Sequence, residues 1–138
     1  MPDADVVLPP PAAARPPVSV VVLTYNEEAN IAACLRSCGW SDDVHVLDSG
    51  STDRTADLAR AAGAVVHTNP FRSFGQQRNW AIDHIDHRHD WVFHLDADER
   101  FTPELVAEMA AVIATAPPVA GFYVPHKLIF MGRWLRRA

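Results

Sequence analysis

The sequence predicts an α/β protein whose mostly parallel sheet is covered by helices on both faces. Short apolar runs rich in β-branched residues alternate with segments whose apolar residues recur at helical spacing. The connections are short, and polar clusters directly follow three of the apolar runs. Such alternation is typical of parallel sheets, in which ligands bind beyond the carboxyl ends of the strands. We therefore expect a Rossmann-like sheet with its polar clusters gathered at one edge.

The first predicted strand and helix lie on either side of the motif TYNEE. The run VSVVVL at 18–23 is continuous and β-branched, as in a strand buried on both faces. After TYNEE, apolar residues recur at helical spacing, and Thr24 with Glu27 forms a candidate capping box for this helix.

The motif DSGSTD separates the second strand from the second helix. DVHVLD at 43–48 is predicted as a strand, and SGSTDRT leads from it into a helix at 53–62. Either Ser51 or Thr52 is the predicted N-cap of that helix. A short third strand, AVVH, follows at 64–67.

The second half of the chain continues the alternation. The motif SFGQ, a candidate capping box, opens a helix at 74–85, and WVFHLD at 91–96 is the fourth strand. Thr102 precedes a proline, so it is the predicted N-cap of a helix at 103–114. GFYVP at 121–125 is predicted to begin another strand.

Composition sets the domain organisation and excludes some functions. The chain has 138 residues and a net charge of −5, so its composition does not indicate a general nucleic-acid surface. Residues 1–17 hold six of the eleven prolines and are predicted to be a disordered or polyproline-like lead-in to one domain at 18–138. No apolar run is long enough to cross a bilayer. Cys34 and Cys38 are expected to pack as small apolar side chains, which fits a reducing, cytoplasmic setting.

The stretch WVFHLDADER places two aspartates at the end of a buried strand. Side chains alternate along a strand with period two, so Asp96 and Asp98 should point to the same side. Two like charges at one place are unfavourable without a cation between them, and carboxylate oxygens suit Mg²⁺ or Mn²⁺. The alternative is a solvated loop before a helix whose N-terminus favours acidic residues.

The other two strand-end motifs each have a structural and a functional interpretation. Asp48 could accept hydrogen bonds from a nucleobase or ribose, and the small residues after it allow a ligand to approach the backbone. Tyr25 could offer its ring or hydroxyl to a base. Helix capping alone would also explain the polar residues of both motifs.

Arg78 and three histidines raise the question of buried charge and metal binding. The apolar stripe of the helix at 74–85 is predicted to consist of Phe74, Ala81, Ile82 and Ile85. Arg78 falls on this stripe, so we expect an internal ion pair, a stem that extends its charged end to water, or a ligand such as a diphosphate. His84, His87 and His89 lie among balanced charges, and a solvated surface is favoured over a metal cluster.

Taken together, the motifs resemble a known family. VSVVVLTYNEEANI, VLDSGSTDRT, GQQRNWAI and WVFHLDADE, in this order and spacing, resemble the family 2 glycosyltransferases of the GT-A fold over about residues 18–138. The tail GFYVPHKLIFMGRWLRR resembles bacterial lipopolysaccharide-core β-glucosyltransferases in particular.

The resemblance implies roles for individual residues. Thr24, Tyr25 and Glu27 would line the base and ribose pocket, and Asp48 would contact the base. Arg78 would lie near the base or phosphates of the donor. Asp96 would lie near the ribose and the metal, and Asp98 would be the direct ligand of a divalent cation, Mg²⁺ or Mn²⁺. The donor would be a nucleotide sugar, by preference a UDP-sugar, transferred with inversion to a glycan or lipid-linked acceptor.

The resemblance also implies a catalytic base beyond Ala138, so we expect this chain to be the donor-binding half of such an enzyme. The basic and aromatic stretch at 127–137 suits peripheral contact with the inner face of a membrane or a lipid-linked acceptor, and its apolar residues, if exposed, would favour self-association. The alternative is a strand or hairpin that is buried in a longer protein.

Two other functions fit parts of the pattern. A phosphotransferase of the haloacid-dehalogenase type also places DxD after a buried strand, but it usually has a small hydroxyl residue where Arg100 stands. A non-catalytic nucleotide-binding or assembly module would need only the donor-binding residues.

Overall fold

A computed structural model of the chain describes residues 15–116 and 118–121, together with the backbone of two strands at 128–130 and 133–135. The main sheet has four strands: β1 (Val18–Thr24), β2 (Val44–Asp48), β3 (Val65–Thr68) and β4 (Trp91–Asp96). The helices are α1 (Ile31–Ser37), α2 (Thr55–Ala61), α3 (Phe74–His84) and α4 (Pro103–Ala114). The short strands β5 (Leu128–Phe130) and β6 (Arg133–Leu135) pair with each other in antiparallel orientation.

The four main strands are all parallel and lie in the order β3-β2-β1-β4. The chain moves outward from β1 through β2 to β3, and then crosses back to place β4 on the other side of β1. The strand order therefore reverses between β1 and β4. In sheets of this type ligands bind at that reversal, outside the carboxyl ends of the strands.

Helices cover both faces of the sheet, as predicted. One core cluster joins alternate residues of β1, such as Val20 and Val22, to α1, α2 and α4. A second cluster joins Val21 and Leu23, on the opposite face of β1, to Ala81 of α3 and to Ile85 just after it. β1 is buried along its whole length, which explains its uninterrupted β-branched sequence.

Two of the predicted helix caps are confirmed. Ser73 Oγ accepts a hydrogen bond from the Gln76 backbone N–H at 3.1 Å, and Thr102 Oγ1 accepts one from Leu105 N–H at 3.2 Å. A proline occupies the first turn after Thr102, where its missing N–H leaves no broken hydrogen bond.

The other predicted caps are wrong. α1 begins only at Ile31, after an N-cap residue, Asn30, whose side chain makes no capping bond. Thr24 instead remains in β1 and donates to Asp48 Oδ1 at 2.7 Å. α2 has Arg54 rather than Ser51 or Thr52 at its N-cap.

The predicted core-facing stripe of α3 is also wrong in part. Ala81 and Ile85 are buried as expected, but Phe74 and Ile82 are exposed. Gln77 is buried in their place. Arg78 lies on the exposed side of α3, so it needs no buried partner.

The remaining predictions concern the cysteines, the ends of the chain and membrane-spanning helices. Cys34 and Cys38 are both buried free thiols, as expected. Most of the lead-in at 1–17 and the side chains of 127–137 lie outside the described residues, as does the strand predicted at 121–125 beyond Gly121, which is in no strand. Within the described part of the chain, no helix combines the length and the apolar character needed to span a membrane.

Candidate functional site

A cavity of about 660 Å³ opens at the carboxyl edge of the sheet, between the ends of β1 and β4. Its size falls in the usual range for small-molecule sites. The family resemblance assigned a role to seven residues. Five of them line the cavity: Thr24, Tyr25, Glu27, Asp96 and Asp98. The cavity therefore occupies the place where the strand order reverses and where the polar clusters were expected to meet.

Asp96 and Asp98 reach the same cavity by a different route from the one predicted. β4 ends at Asp96, and the next residues form a turn in which Glu99 N–H donates to Asp96 O at 2.9 Å. The Glu99 carboxylate closes the turn by accepting from Asp96 N–H at 2.8 Å. Asp98 is thus presented by a turn and not by strand alternation. Both carboxylates line the cavity, so together they offer the hard oxygen ligands that Mg²⁺ and Mn²⁺ prefer.

Asp48 lies behind the cavity wall and is almost fully buried. Its Oδ1 accepts from Thr24 Oγ1 at 2.7 Å and from Ser51 Oγ at 2.6 Å. Its Oδ2 accepts from the backbone N–H groups of Gly50 at 3.0 Å and Ser51 at 2.7 Å. Burial by itself raises the pKa of Asp48, but these hydrogen bonds more than offset that effect and hold the pKa below its usual range.

The comparison with known proteins settles the family. The model of the family described as Glycosyl transferase family 2 matches residues 19–137. The chain belongs to this family.

The matches between this family 2 chain and its individual relatives cover less than half of each relative. The lipopolysaccharide core biosynthesis glycosyltransferase LpsC of Rhizobium meliloti is 29% identical over 121 residues, which cover 84% of this chain and 44% of the relative. An undecaprenyl-phosphate 4-deoxy-4-formamido-L-arabinose transferase of Pseudomonas paraeruginosa is 36% identical over 117 residues, covering 75% of this chain and 34% of the relative.

A solved structure shares the same fold. Glucosyl-3-phosphoglycerate synthase from Mycobacterium tuberculosis, in complex with Mn²⁺ and uridine-diphosphate-glucose, is 34% identical with a TM-score of 0.51. The match covers 62% of this chain and 34% of the synthase. The family 2 chain therefore spans less than half the length of each of these three proteins.

The two loops that carry TYNEE and DSGSTD are fastened to each other in the family 2 chain. Asn26 adopts a left-handed backbone conformation, with φ of 51°, and its Oδ1 accepts from Thr52 N–H at 2.9 Å. In return, Ser51 Oγ accepts from Asn26 N–H at 2.8 Å, and Thr55 Oγ1 accepts from Glu27 N–H at 2.8 Å. These bonds hold Tyr25 and Glu27 at the cavity while each loop stabilises the other.

The rim of the cavity is aromatic, and Arg78 lies beside it. Phe71 and Phe74 line the cavity, are exposed, and contact each other edge-on with ring centroids 5.1 Å apart. Tyr25, on the β1 loop, is also exposed at the cavity. The Arg78 guanidinium lies 6.0 Å from the centre of the Phe74 ring. The rim therefore offers flat apolar surfaces with a positive charge nearby, although Arg78 is not among the residues that line the cavity.

Gln77 is a site residue that sequence reasoning missed. It lines the cavity, is buried, and uses both ends of its amide. Its Nε2 donates to Asn69 O at 3.0 Å and to Ser49 Oγ at 3.2 Å, and its Oε1 accepts from Asn69 Nδ2 at 2.9 Å. Gln77 thereby ties α3 to the loops after β2 and β3. The signal available in the sequence was its spacing of four and eight residues from Ala81 and Ile85.

We expect Gln77→Leu to lower the free energy of unfolding by about 2 kcal/mol, because the partners of the amide are left unsatisfied. Gln76→Leu is the matched control, since the Gln76 side chain is exposed. Urea unfolding of both variants measures the difference. Equal destabilisation by the two substitutions would show that the amide of Gln77 has no anchoring role.

Proposed function

We propose that this chain binds the nucleotide-sugar donor of an inverting glycosyltransferase, by preference a UDP-sugar, in the cavity between β1 and β4. One observation carries the proposal. Asp96 and Asp98 line the same cavity as Thr24, Tyr25 and Glu27, so cation ligands and base- or ribose-binding groups face one space. The relative with a bound UDP-glucose and Mn²⁺ supports this assignment.

Different side chains are assigned to the base, the ribose and the phosphates of the donor. Tyr25, Phe71 and Phe74 offer ring surfaces to the uracil base, and Thr24 and Glu27 offer polar atoms to the ribose. Arg78, beside the rim, supplies a guanidinium for the phosphates. Because the Asp48 carboxylate already accepts four hydrogen bonds from its own chain, we assign it the positioning of Thr24 and of the turn at 49–51.

The chemistry of sugar transfer explains why two carboxylates are needed. As the bond between sugar and diphosphate breaks, negative charge builds on the leaving nucleoside diphosphate. A divalent cation held by Asp98, with Asp96 beside it, would neutralise that charge when bound. The role of the chain's own residues is to fix the donor so that an acceptor hydroxyl attacks in line with the leaving group, which inverts the sugar carbon.

The acceptor is proposed from the relatives alone. Two of them are named for lipopolysaccharide core biosynthesis and for transfer to undecaprenyl phosphate, so we propose a glycan or a lipid-linked acceptor. The base that deprotonates the acceptor hydroxyl is proposed to be an acidic residue beyond Ala138. In general such a base contributes about 10²–10⁴-fold to the rate.

Calorimetric titration of the 138-residue chain with UDP tests donor binding. We expect Mn²⁺ to tighten UDP binding at least about tenfold relative to EDTA, since a cation ligand bridges protein and diphosphate. GDP, which has a different base, serves as the specificity control. Absence of UDP binding, or UDP binding that is identical with and without metal, contradicts the proposal.

An assay of UDP release from UDP-glucose tests whether the 138-residue chain also turns over the donor. UDP release would rule out a module that only binds nucleotide, whereas binding without release is expected both of that module and of a chain whose catalytic base lies beyond Ala138. The phosphotransferase alternative finds no support in the family to which the chain belongs.

A further inference from the structure

A second group of metal-ligating side chains lies outside the cavity, on the α3 face of the sheet. Asp43 precedes β2, His45 lies at its start, and His87 follows the end of α3. One ligand atom from each of the three lies within 4.8 Å of the others. His45 Nε2 and Asp43 Oδ1 are 2.8 Å apart. His45 is three residues from Asp48, so the group lies about 10 Å along β2 from the edge that carries the cavity.

The other polar atoms of these three side chains already have hydrogen-bonding partners. His45 Nδ1 lies 3.0 Å from His67 Nε2, and His87 Nε2 lies 3.1 Å from Ala81 O. Asp43 Oδ2 accepts from Ser19 Oγ at 2.6 Å and from a backbone N–H at 2.8 Å. Metal-binding histidines and carboxylates are typically oriented in this way by hydrogen bonds to their outer atoms.

The inner nitrogen of His87 is an independent sign of a missing ligand. Its Nδ1 is buried and has no hydrogen-bond partner among the described residues. The other ring nitrogen faces a carbonyl oxygen, which can only accept, so the ring proton lies on Nε2. Nδ1 therefore carries an unused lone pair, and His87 offers a ligand atom within 4.8 Å of those of His45 and Asp43. Buried polar atoms without a partner are uncommon and call for an explanation.

We propose that Asp43 Oδ1, His45 Nε2 and His87 Nδ1 form a Zn²⁺ site with three protein ligands and water at the fourth position. Two imidazole nitrogens and one carboxylate oxygen suit Zn²⁺ far better than Mg²⁺ or Ca²⁺. Ligand atoms around a tetrahedral Zn²⁺ lie about 3.4 Å apart, given bonds of about 2.0–2.1 Å. The His45–Asp43 separation is 2.8 Å and all three ligand atoms lie within 4.8 Å of one another, so side-chain adjustment is enough to close the site.

Zn²⁺ at this position would fasten the end of α3 to the start of β2. His87 lies in the segment between α3 and β4, and β4 leads directly to Asp96 and Asp98. The ion would therefore stabilise the strand that presents the cation ligands of the cavity, without contacting the donor. The site does not depend on the proposed donor binding.

Zinc content after dialysis of the 138-residue chain tests the site. We expect one tightly held Zn²⁺ per chain, unaffected by excess Mg²⁺, and tetrahedral Co²⁺ absorption bands when Co²⁺ replaces it. His87→Ala should weaken Zn²⁺ binding at least about tenfold, because it removes a ligand. His84→Gln is the matched control, because His84 is exposed and stacks on Trp80.

Two further variants make the result decisive. Asp98→Asn should leave this Zn²⁺ in place, which separates the site from the cavity and keeps the test independent of donor binding. His87→Gln preserves side-chain volume and replaces the alanine variant if that variant does not fold. Equal Zn²⁺ binding by His87→Gln and His84→Gln, loss of Zn²⁺ only in Asp98→Asn, or absence of tetrahedral Co²⁺ bands would each overturn the proposal.

Discussion

We expect Asp98→Asn to abolish the Mn²⁺-dependent part of UDP binding while leaving the fold intact. The side chain is exposed at the cavity and follows the end of β4, so replacing one oxygen with an amide nitrogen disturbs no packing. It does remove a negative oxygen ligand from the cation. Because residues that merely orient a metal ligand are worth roughly 10–100-fold in affinity, we expect a loss of about 100-fold or more. Calorimetric titration with UDP and Mn²⁺ measures it.

Glu108→Gln is the matched control for Asp98→Asn. It removes one carboxylate from an exposed position on α4, distant in sequence from the cavity motifs. Circular dichroism and the melting temperature should be the same for both variants and for the unaltered chain. If Asp98→Asn binds UDP as tightly as Glu108→Gln in the presence of Mn²⁺, Asp98 is not a metal ligand.

The largest loss of stability should come from Asp48→Ala. This change removes an acceptor of four hydrogen bonds at a buried site and leaves the Thr24 hydroxyl and the Gly50 and Ser51 N–H groups without their partner. Hydrogen bonds to charged groups are worth about 1.5–3 kcal/mol each, and they are not additive here, so we expect a total loss of about 3–5 kcal/mol. Urea unfolding at neutral pH measures it.

Acid sensitivity gives a second measurement on the same residue. The folded pKa of Asp48 lies below its ordinary value of 3.8, so its contribution to stability is complete above 3.8 and is lost as the pH falls through the folded pKa. The stability difference between the unaltered chain and Asp48→Asn should therefore shrink as the pH is lowered to about 3. A difference that stays constant over this range would mean that the charge of Asp48 does not stabilise the fold.

The sheet could be predicted from the sequence because its strands are short apolar runs, of which the buried β1 leaves the strongest local signal. β1 is apolar and β-branched on both faces, and the predicted start at Val18 and the end near Leu23 are within one residue of the structure. The fourth strand was also placed at its observed bounds, although most of its residues are only half-buried. Loop connections were less predictable, since long-range hydrogen bonds decide them. Thr24 has the spacing of a helix cap, yet its hydroxyl bonds to Asp48 on the neighbouring strand.

The site could be predicted in part. Residues that directly follow strands, such as Tyr25 and Asp98, were found because parallel strands bring their ends to one edge. Gln77 and Arg78 were misjudged because helix α3 buries a polar amide and exposes two large apolar residues, against the usual preference. The histidines at 84, 87 and 89 do not form a cluster with one another. His87 instead meets Asp43 and His45, which come from distant parts of the chain.

The hydrogen bonds that join the TYNEE and DSGSTD loops do not involve Phe71 or Phe74 of the aromatic rim. One substitution at Asn26 or Ser51 removes bonds from both loops at once, so neither loop can change alone without loss. Phe71 and Phe74, by contrast, contact each other through their rings and can be exchanged one at a time. A directed-evolution library aimed at a new donor preference should therefore randomise Phe71 and Phe74 and leave the two loops untouched.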